Sequence, residues 1–121
     1  MAIDGIDKEA IVEHGMRYSI SREGQEVARG YLFILRDDLK EPFGLVNDIF
    51  VHEKFREEKD LKKQIVQAAL ADARRHGCHT IITVCGYTDE AAHDLYSEFS
   101  FSQTGDVFRL DFKPKHGRKG S

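Results

Sequence analysis

The stretch Asn47 to Gly77, NDIFVHEKFREEKDLKKQIVQAALADARRHG, constrains this chain more than any other. Ile49, Phe50 and Val51 supply the bulk of a strand. From about Asp60, residues Leu61, Ile65, Val66, Ala69 and Ala73 recur at helical spacing and make one apolar stripe. Gly77 follows where a helix ends in a left-handed residue. The next run, CHTIITVC from Cys78 to Cys85, is β-branched and reads as a buried strand. A strand, a helix and a strand in this order join through a right-handed crossover, so the two strands are expected to run parallel. The entry to the helix is also chemically distinctive. First-turn N–H groups lack intrahelical partners, and the helix dipole favours an anion there.

The rest of the chain fits around that unit. Tyr18 and Ile20 alternate with Arg17, Ser19 and Ser21, so about Ala10 to Arg22 reads as a strand with one buried face. Glu23-Gly24 is a turn, and Gln25 to Arg36 returns as the second arm of a hairpin. YLFIL within it is continuous and apolar, which predicts cover on both faces. A polar loop, DDLKEP, leads into a strand from Phe43 to His52. After the Cys78–Cys85 strand, Gly86 and Tyr87 make a short link to a second helix beginning near Thr88 or Asp89. Ala92, Leu95, Tyr96 and Phe99 share one face of that helix. Phe108, Leu110 and Phe112 then predict a closing strand over Thr104 to Phe112. The expected fold is α/β of the α+β kind. It is a mixed sheet with an antiparallel N-terminal hairpin, a central parallel strand-helix-strand unit and two main helices.

A chain of 121 residues, 40% hydrophobic and 32% charged, holds one core. The reading is an N-terminal segment over 1–9, a single domain over 10–112 and a basic tail over 113–121. A net charge of -3 leaves no footprint for nucleic acid, and the tail KPKHGRK reads as a solvated charge run. No apolar run approaches membrane-spanning length and no secretory signal opens the chain, so a cytoplasmic location is expected. Cys78 and Cys85 form neither a disulfide framework nor a zinc spacing and are expected as reduced thiols. His76 and His79 straddle a helix end, so no metal site is expected.

Four segments resemble the GNAT N-acetyltransferase superfamily over roughly Arg17 to Phe112. IFVHEKFR is similar to the family's fourth strand and the entry to its acetyl-coenzyme A loop. ARRHGC is similar to the end of the next helix, and VFRLDF to the closing strand. AAHDLYSEFSF is similar to the A-x-x-L-Y-x-x-x-G-F segment, carried here by Ala92, Leu95, Tyr96 and Phe101, with Ser100 at the usual glycine. The family loop Arg/Gln-x-x-Gly-x-Gly/Ala departs further. Arg56 is kept, but neither glycine of Arg56-Glu57-Glu58-Lys59-Asp60-Leu61-Lys62 is present. The glycine positions fall on Lys59 and Leu61, or on Asp60 and Lys62 after a one-residue insertion.

The resemblance implies an acetyl-coenzyme A-dependent N-acetyltransferase in which an acceptor amine attacks the thioester directly. Phe50 and Val51 would hold the acyl arm by backbone groups. Arg56, Lys59, Asp60, Leu61, Lys62 and Lys63 would form the pyrophosphate loop. Tyr96 would be the general acid for the departing thiolate, and Asp48 the general base. The residues themselves also support a competing account. Glu57, Glu58 and Asp60 are acids at a helix N-terminus, with Asp60 a good N-cap, so the helix end could be satisfied by its own side chains. The alternative is then a non-catalytic GNAT-like binding or regulatory module without coenzyme A. The tight Glu23-Gly24 turn also leaves no room for the helix pair that builds the family's acceptor wall. An open acceptor cleft, for a small-molecule or peptide amine, or one completed by a homodimer partner, is expected.

Overall fold

A computed structural model describes residues 5, 6, 8, 10, 14–86 and 88–112, with the side chains of Asp48 and Lys59 outside the description. The basic-tail reading over 113–121 also lies outside the described residues. The chain divides into two units, Met1–Cys85 and Gly86–Ser121.

Among the described residues, the first unit is a four-stranded mixed sheet with one α-helix. Strands β1 (His14–Arg22), β2 (Gln25–Arg36), β3 (Pro42–Val51) and β4 (Ile81–Thr83) lie in that spatial order. β1–β2 and β2–β3 are antiparallel, and β3–β4 is parallel. The hairpin turn places Glu23 at φ 53° and Gly24 at φ 78°, two left-handed residues whose twist suits a two-residue hairpin loop. Helix α1 (Lys59–Arg75) makes the crossover between the parallel strands. Its C-cap is His76, and Gly77 follows at φ 74°, as the spacing predicted. Among the described residues, no helix is long and apolar enough to cross a membrane.

The expected stripe is the core. Leu61, Ile65, Val66, Ala69 and Ala73 are all buried. Leu32, Ile34 and Val46 of the sheet pack with Ala69 and Ala73, and Val27, Ala28 and Val51 pack with Leu61. A Cβ built on Gly30 would stand 2.5 Å from Ile65 Cγ2, so α1 crosses β2 at a position only glycine can occupy without a shift. Tyr18 reaches over from β1 and donates to Asp72 Oδ2 on α1 at 2.6 Å. Burial, then that hydrogen bond, pushes its phenol well above the ordinary range.

The second unit contains helix α2 (Glu90–Glu98), N-capped by Asp89, whose Oδ1 accepts from the Ala92 amide at 3.0 Å. The helix ends with Ser100 at φ 69° and the Phe101 amide bonded back to the Tyr96 carbonyl at 3.0 Å. The glycine usual at position 100 is thus replaced by a residue that still takes the left-handed conformation.

Three expectations are corrected. The strand over Cys78–Cys85 shrinks to Ile81–Thr83, because Cys78 is still in the helix-ending turn, its amide bonded to the Ala73 carbonyl. Both cysteines are free and lie outside β4. No strand forms over Thr104–Phe112: among the described residues the sheet has four strands, and these residues carry no ladder. Asp60 is not the N-cap of α1. The helix begins one residue earlier, which places Asp60 inside the first turn and Glu58 at the cap.

Candidate active site

β3 stays paired with β2 through Val51 but parts from β4 after Val46, and its register with β2 slips on the way. Opposite Gly30 the β2–β3 register slips, from Tyr31↔Asn47 to Arg29↔Phe50, so β3 carries one extra residue at Asp48-Ile49. A bulge of this kind re-aims the strand that follows it. On the other side, parallel pairing with β4 covers only Gly44 to Val46. Thr83 Oγ1 donates to the Val46 carbonyl at 3.1 Å and closes the last rung. Among the described residues, no strand pairs with β3 on that side from Asn47 to Val51.

The ladder parity says which backbone groups face this opening. The His52 amide donates to the Val27 carbonyl at 2.7 Å, which makes Val27 and His52 a hydrogen-bonded pair. Pairs alternate along an antiparallel ladder, so Phe50 also turns its N–H and C=O to β2, while those of Val51 point to the open side. Of the two residues expected to supply backbone groups, the register directs Val51 to the opening and Phe50 away from it. The Phe50 ring is covered by Arg29, whose guanidinium carbon is 4.4 Å from the ring centroid.

Val51 leads through His52 into a single 3-10 turn, Glu53–Phe55, capped by His52 Nδ1 accepting from the Lys54 amide at 3.2 Å. Phe55 packs against the cluster of Val27, Ala28, Val51 and Leu61, which anchors the loop to the sheet. α1 then starts with Glu58 at the cap and no side-chain hydrogen bond to its amides. The Leu61 amide meets the Glu58 carbonyl at 3.4 Å. The Glu58 carboxylate is held elsewhere. Arg22, at the end of β1, forks it with bonds of 2.9 and 3.0 Å, and the pair raises the arginine's pKa further. The Glu58 carboxylate is thus turned to Arg22 and makes no capping bond to the α1 amides. Asp60 and Arg56 are exposed, Lys62 and Lys63 are half-buried, and Leu61 is fully buried, so only its backbone is available to a ligand.

Tyr96 is half-buried on α2, with the Phe101 ring edge-on at 5.3 Å. Asp48 and Lys59 keep their places on β3 and at the first residue of α1, but their side chains lie outside the described residues. His93 ties back to the Gly86 carbonyl through Nε2 at 3.2 Å. His79 bridges Asp37 and Thr80, and His76 bonds the Asp72 carbonyl. Among the described residues no group of side chains could hold a metal ion. Burial pushes the Cys78 thiol up, away from the reactive thiolate. Two features escaped the sequence. The bulge was signalled only by a glycine inside a strand, Gly30. The Arg22–Glu58 fork joins residues 36 apart and left no local sign.

A mixed sheet whose parallel strands are joined by a crossover helix defines an α/β protein. The family profile described as the acetyltransferase (GNAT) family matches residues 4–101. The chain belongs to the GNAT acetyltransferase family. Solved structures agree on the fold. Glucosamine-6-phosphate N-acetyltransferase from Arabidopsis thaliana aligns at TM-score 0.74 and 21% identity, over 82% of this chain and 67% of that one. A Trypanosoma brucei acetyltransferase aligns at 0.72 and 18%, over 80% and 68%. A transcriptional regulator from Bacillus halodurans aligns at 0.74 and 15%, over 81% and 66%. A comparison with curated protein sequences finds no match.

Proposed function

We propose that this chain is an acetyl-coenzyme A-dependent N-acetyltransferase with a glycine-free pyrophosphate loop. The observation that carries the reading is the α1 N-terminus. It follows β3 after one 3-10 turn, its N-cap residue Glu58 makes no side-chain capping bond, and the Glu58 carboxylate is held by Arg22. Amides of the first turn, from Asp60 to Lys62, would take the pyrophosphate, with Arg56, Lys59, Lys62 and Lys63 supplying positive charge. Leu61 is buried and contributes an amide only, which favours Asp60 and Lys62 as the positions glycine holds elsewhere in the family. Val51 would hold the acyl arm through the backbone groups that face the opening.

The bound coenzyme supplies an activated acetyl thioester for an acceptor amine. Asp48 would take the proton that the amine nitrogen loses as its new N–C bond forms. Tyr96 would give its hydroxyl proton to the departing thiolate sulfur. The acceptor is a small-molecule or peptide amine. Between β1 and β2 stands a two-residue turn, so the acceptor side would be open or completed by a second copy of the chain.

Thermal unfolding with and without millimolar acetyl-coenzyme A tests the reading. Ligand at about 100 times its dissociation constant adds about 2.7 kcal/mol, a rise of several degrees for a domain of this size. An unchanged midpoint would favour the non-catalytic module.

A further inference from the structure

The face of the sheet turned away from α1 carries a charge pattern that acetyl transfer alone does not use. Across β1, β2 and β3 the register sets Arg17, Tyr31 and Asn47 in one row, and Ser19, Arg29 and Phe50 in the next. Tyr18 and Gly30, between these rows, turn to α1, so the rows project from the opposite face.

Two arginines and one carboxylate meet there. Arg17 Nη2 donates to Glu26 Oε2 at 2.8 Å, and its Nε donates to the Tyr31 hydroxyl at 3.2 Å. The bond from Arg17, foremost, keeps the Glu26 carboxyl below its usual range, so Glu26 is ionised at neutral pH. Arg29 Nη1 meets the same carboxylate oxygen at 3.6 Å, beyond hydrogen-bond reach. Glu26 thus neutralises Arg17, and the cluster keeps one surplus positive charge, at Arg29. That side chain is 37% exposed and is held in place by stacking, its guanidinium carbon 4.4 Å from the Phe50 ring centroid. A guanidinium stacked on an aromatic ring keeps its in-plane N–H groups as a fork for a carboxylate or phosphate.

The place of this charge relative to the reaction follows from β3. Phe50 directly precedes Val51, whose backbone would hold the acyl arm, and stands two residues after Asp48, the expected proton acceptor. A cation beside the reactive strand discriminates among amines. One with a second positive charge is repelled, whereas one that carries an anionic group is drawn in. We infer that the acceptor is a small amine that also carries a carboxylate or phosphate, and that Arg29 binds this anionic group. The inference rests on the acetyl-transfer reading and narrows its acceptor.

The test follows coenzyme A release by the full chain with acetyl-coenzyme A and matched primary amines: β-alanine against β-alaninamide, phosphoethanolamine against ethanolamine, and putrescine as the dication. The expected order of kcat/KM is anionic, then neutral, then putrescine, with the anionic member ahead by about tenfold or more. The better of β-alanine and phosphoethanolamine tells carboxylate from phosphate. Arg29→Gln should cut the anionic-to-neutral ratio by about 10- to 100-fold, the loss expected for a hydrogen bond to a charged group, mostly through KM. Arg29→Glu should move the order toward putrescine. The wild-type ranking decides without any variant: no anionic preference, or no turnover of any amine, overturns the inference. So does an equal loss on every amine in Arg29→Gln, which would mean that Arg29 only supports Phe50. The melting midpoint with acetyl-coenzyme A, measured on the same samples, separates the two failures. A raised midpoint without anionic preference sinks this inference alone; an unchanged midpoint sinks the acetyl-transfer reading and this inference with it.

Discussion

Replacing Gly30 by alanine should damage the fold at the point where α1 meets the bulge. The new Cβ would lie 2.5 Å from Ile65 Cγ2 and 3.3 Å from Ile49 Cγ1. Apolar carbons settle about 3.5–4.0 Å apart, so Ile65 must move by an ångström or more. It cannot do so by rotation, because a β-branched residue in a helix has one strongly preferred χ1. The helix itself must lift, and overpacking of this kind costs about 1–3 kcal/mol. Ile65→Ala alone should cost about 2–5 kcal/mol through the cavity it leaves. Together the two changes should cost less than their sum, by about 1–2 kcal/mol, since the new methyl enters space the isoleucine vacates. Urea unfolding measures this: with a slope of about 1–3 kcal/mol per molar, the Gly30→Ala midpoint should fall by about 1 M. Gly44→Ala is the internal comparison. Its Cβ meets the far ends of Ile81 at 2.8 Å and Leu32 at 3.1 Å, both Cδ1 atoms that can swing aside, so its cost should be smaller. A neutral Gly30→Ala, or strict additivity with Ile65→Ala, would refute the reasoning.

Other outcomes follow from single contacts. Ser100→Gly should stabilise the chain by about 1 kcal/mol, because φ 69° costs an L-residue what glycine does not pay; a thermal midpoint that stays put or falls would contradict this. Arg22→Ala should free the Glu58 carboxylate beside the α1 N-terminus and weaken acetyl-coenzyme A binding by roughly two- to fivefold, with Arg22→Ala/Glu58→Gln restoring it, as calorimetry can show. Asp37 accepts from the amides of Glu41 and Leu39 and from His79, and the Glu41 amide foremost holds its carboxyl below the usual range. A depressed folded-state pKa means stability that is full above the unfolded value, about pH 4, and is lost as pH falls through the folded one. Asp37→Asn should therefore flatten the acid limb of a stability-against-pH curve, and an unchanged limb would count against it.

What was legible in the sequence was local and periodic. The α1 stripe, the helix stop at Gly77 and the Glu23-Gly24 turn each follow from spacing or from backbone freedom within a few residues. The resemblance then ordered those elements into a family that the profile match bears out. What was not legible depends on partners distant in the chain. Residues 104–112 have the alternation of a strand, but alternation does not supply a neighbour to pair with. Cys78 belongs to a β-branched run, yet the Ala73 carbonyl claims its amide and delays the strand to Ile81. Asp60 is a good cap by type, but the helix starts at Lys59 and leaves it inside the first turn. The three acids of the loop looked like a barrier to phosphate; a distant arginine changes that balance at Glu58, and nothing within the loop foretells it.

The central claim is that the α1 N-terminus and the open side of β3 receive acetyl-coenzyme A. Amide chemical shifts followed during titration with acetyl-coenzyme A test it most directly. The account predicts saturating shifts at Asp60, Leu61, Lys62 and Val51, with the Phe50 amide, bonded to β2, moving less. Absent shifts, or shifts confined to other segments, would contradict it.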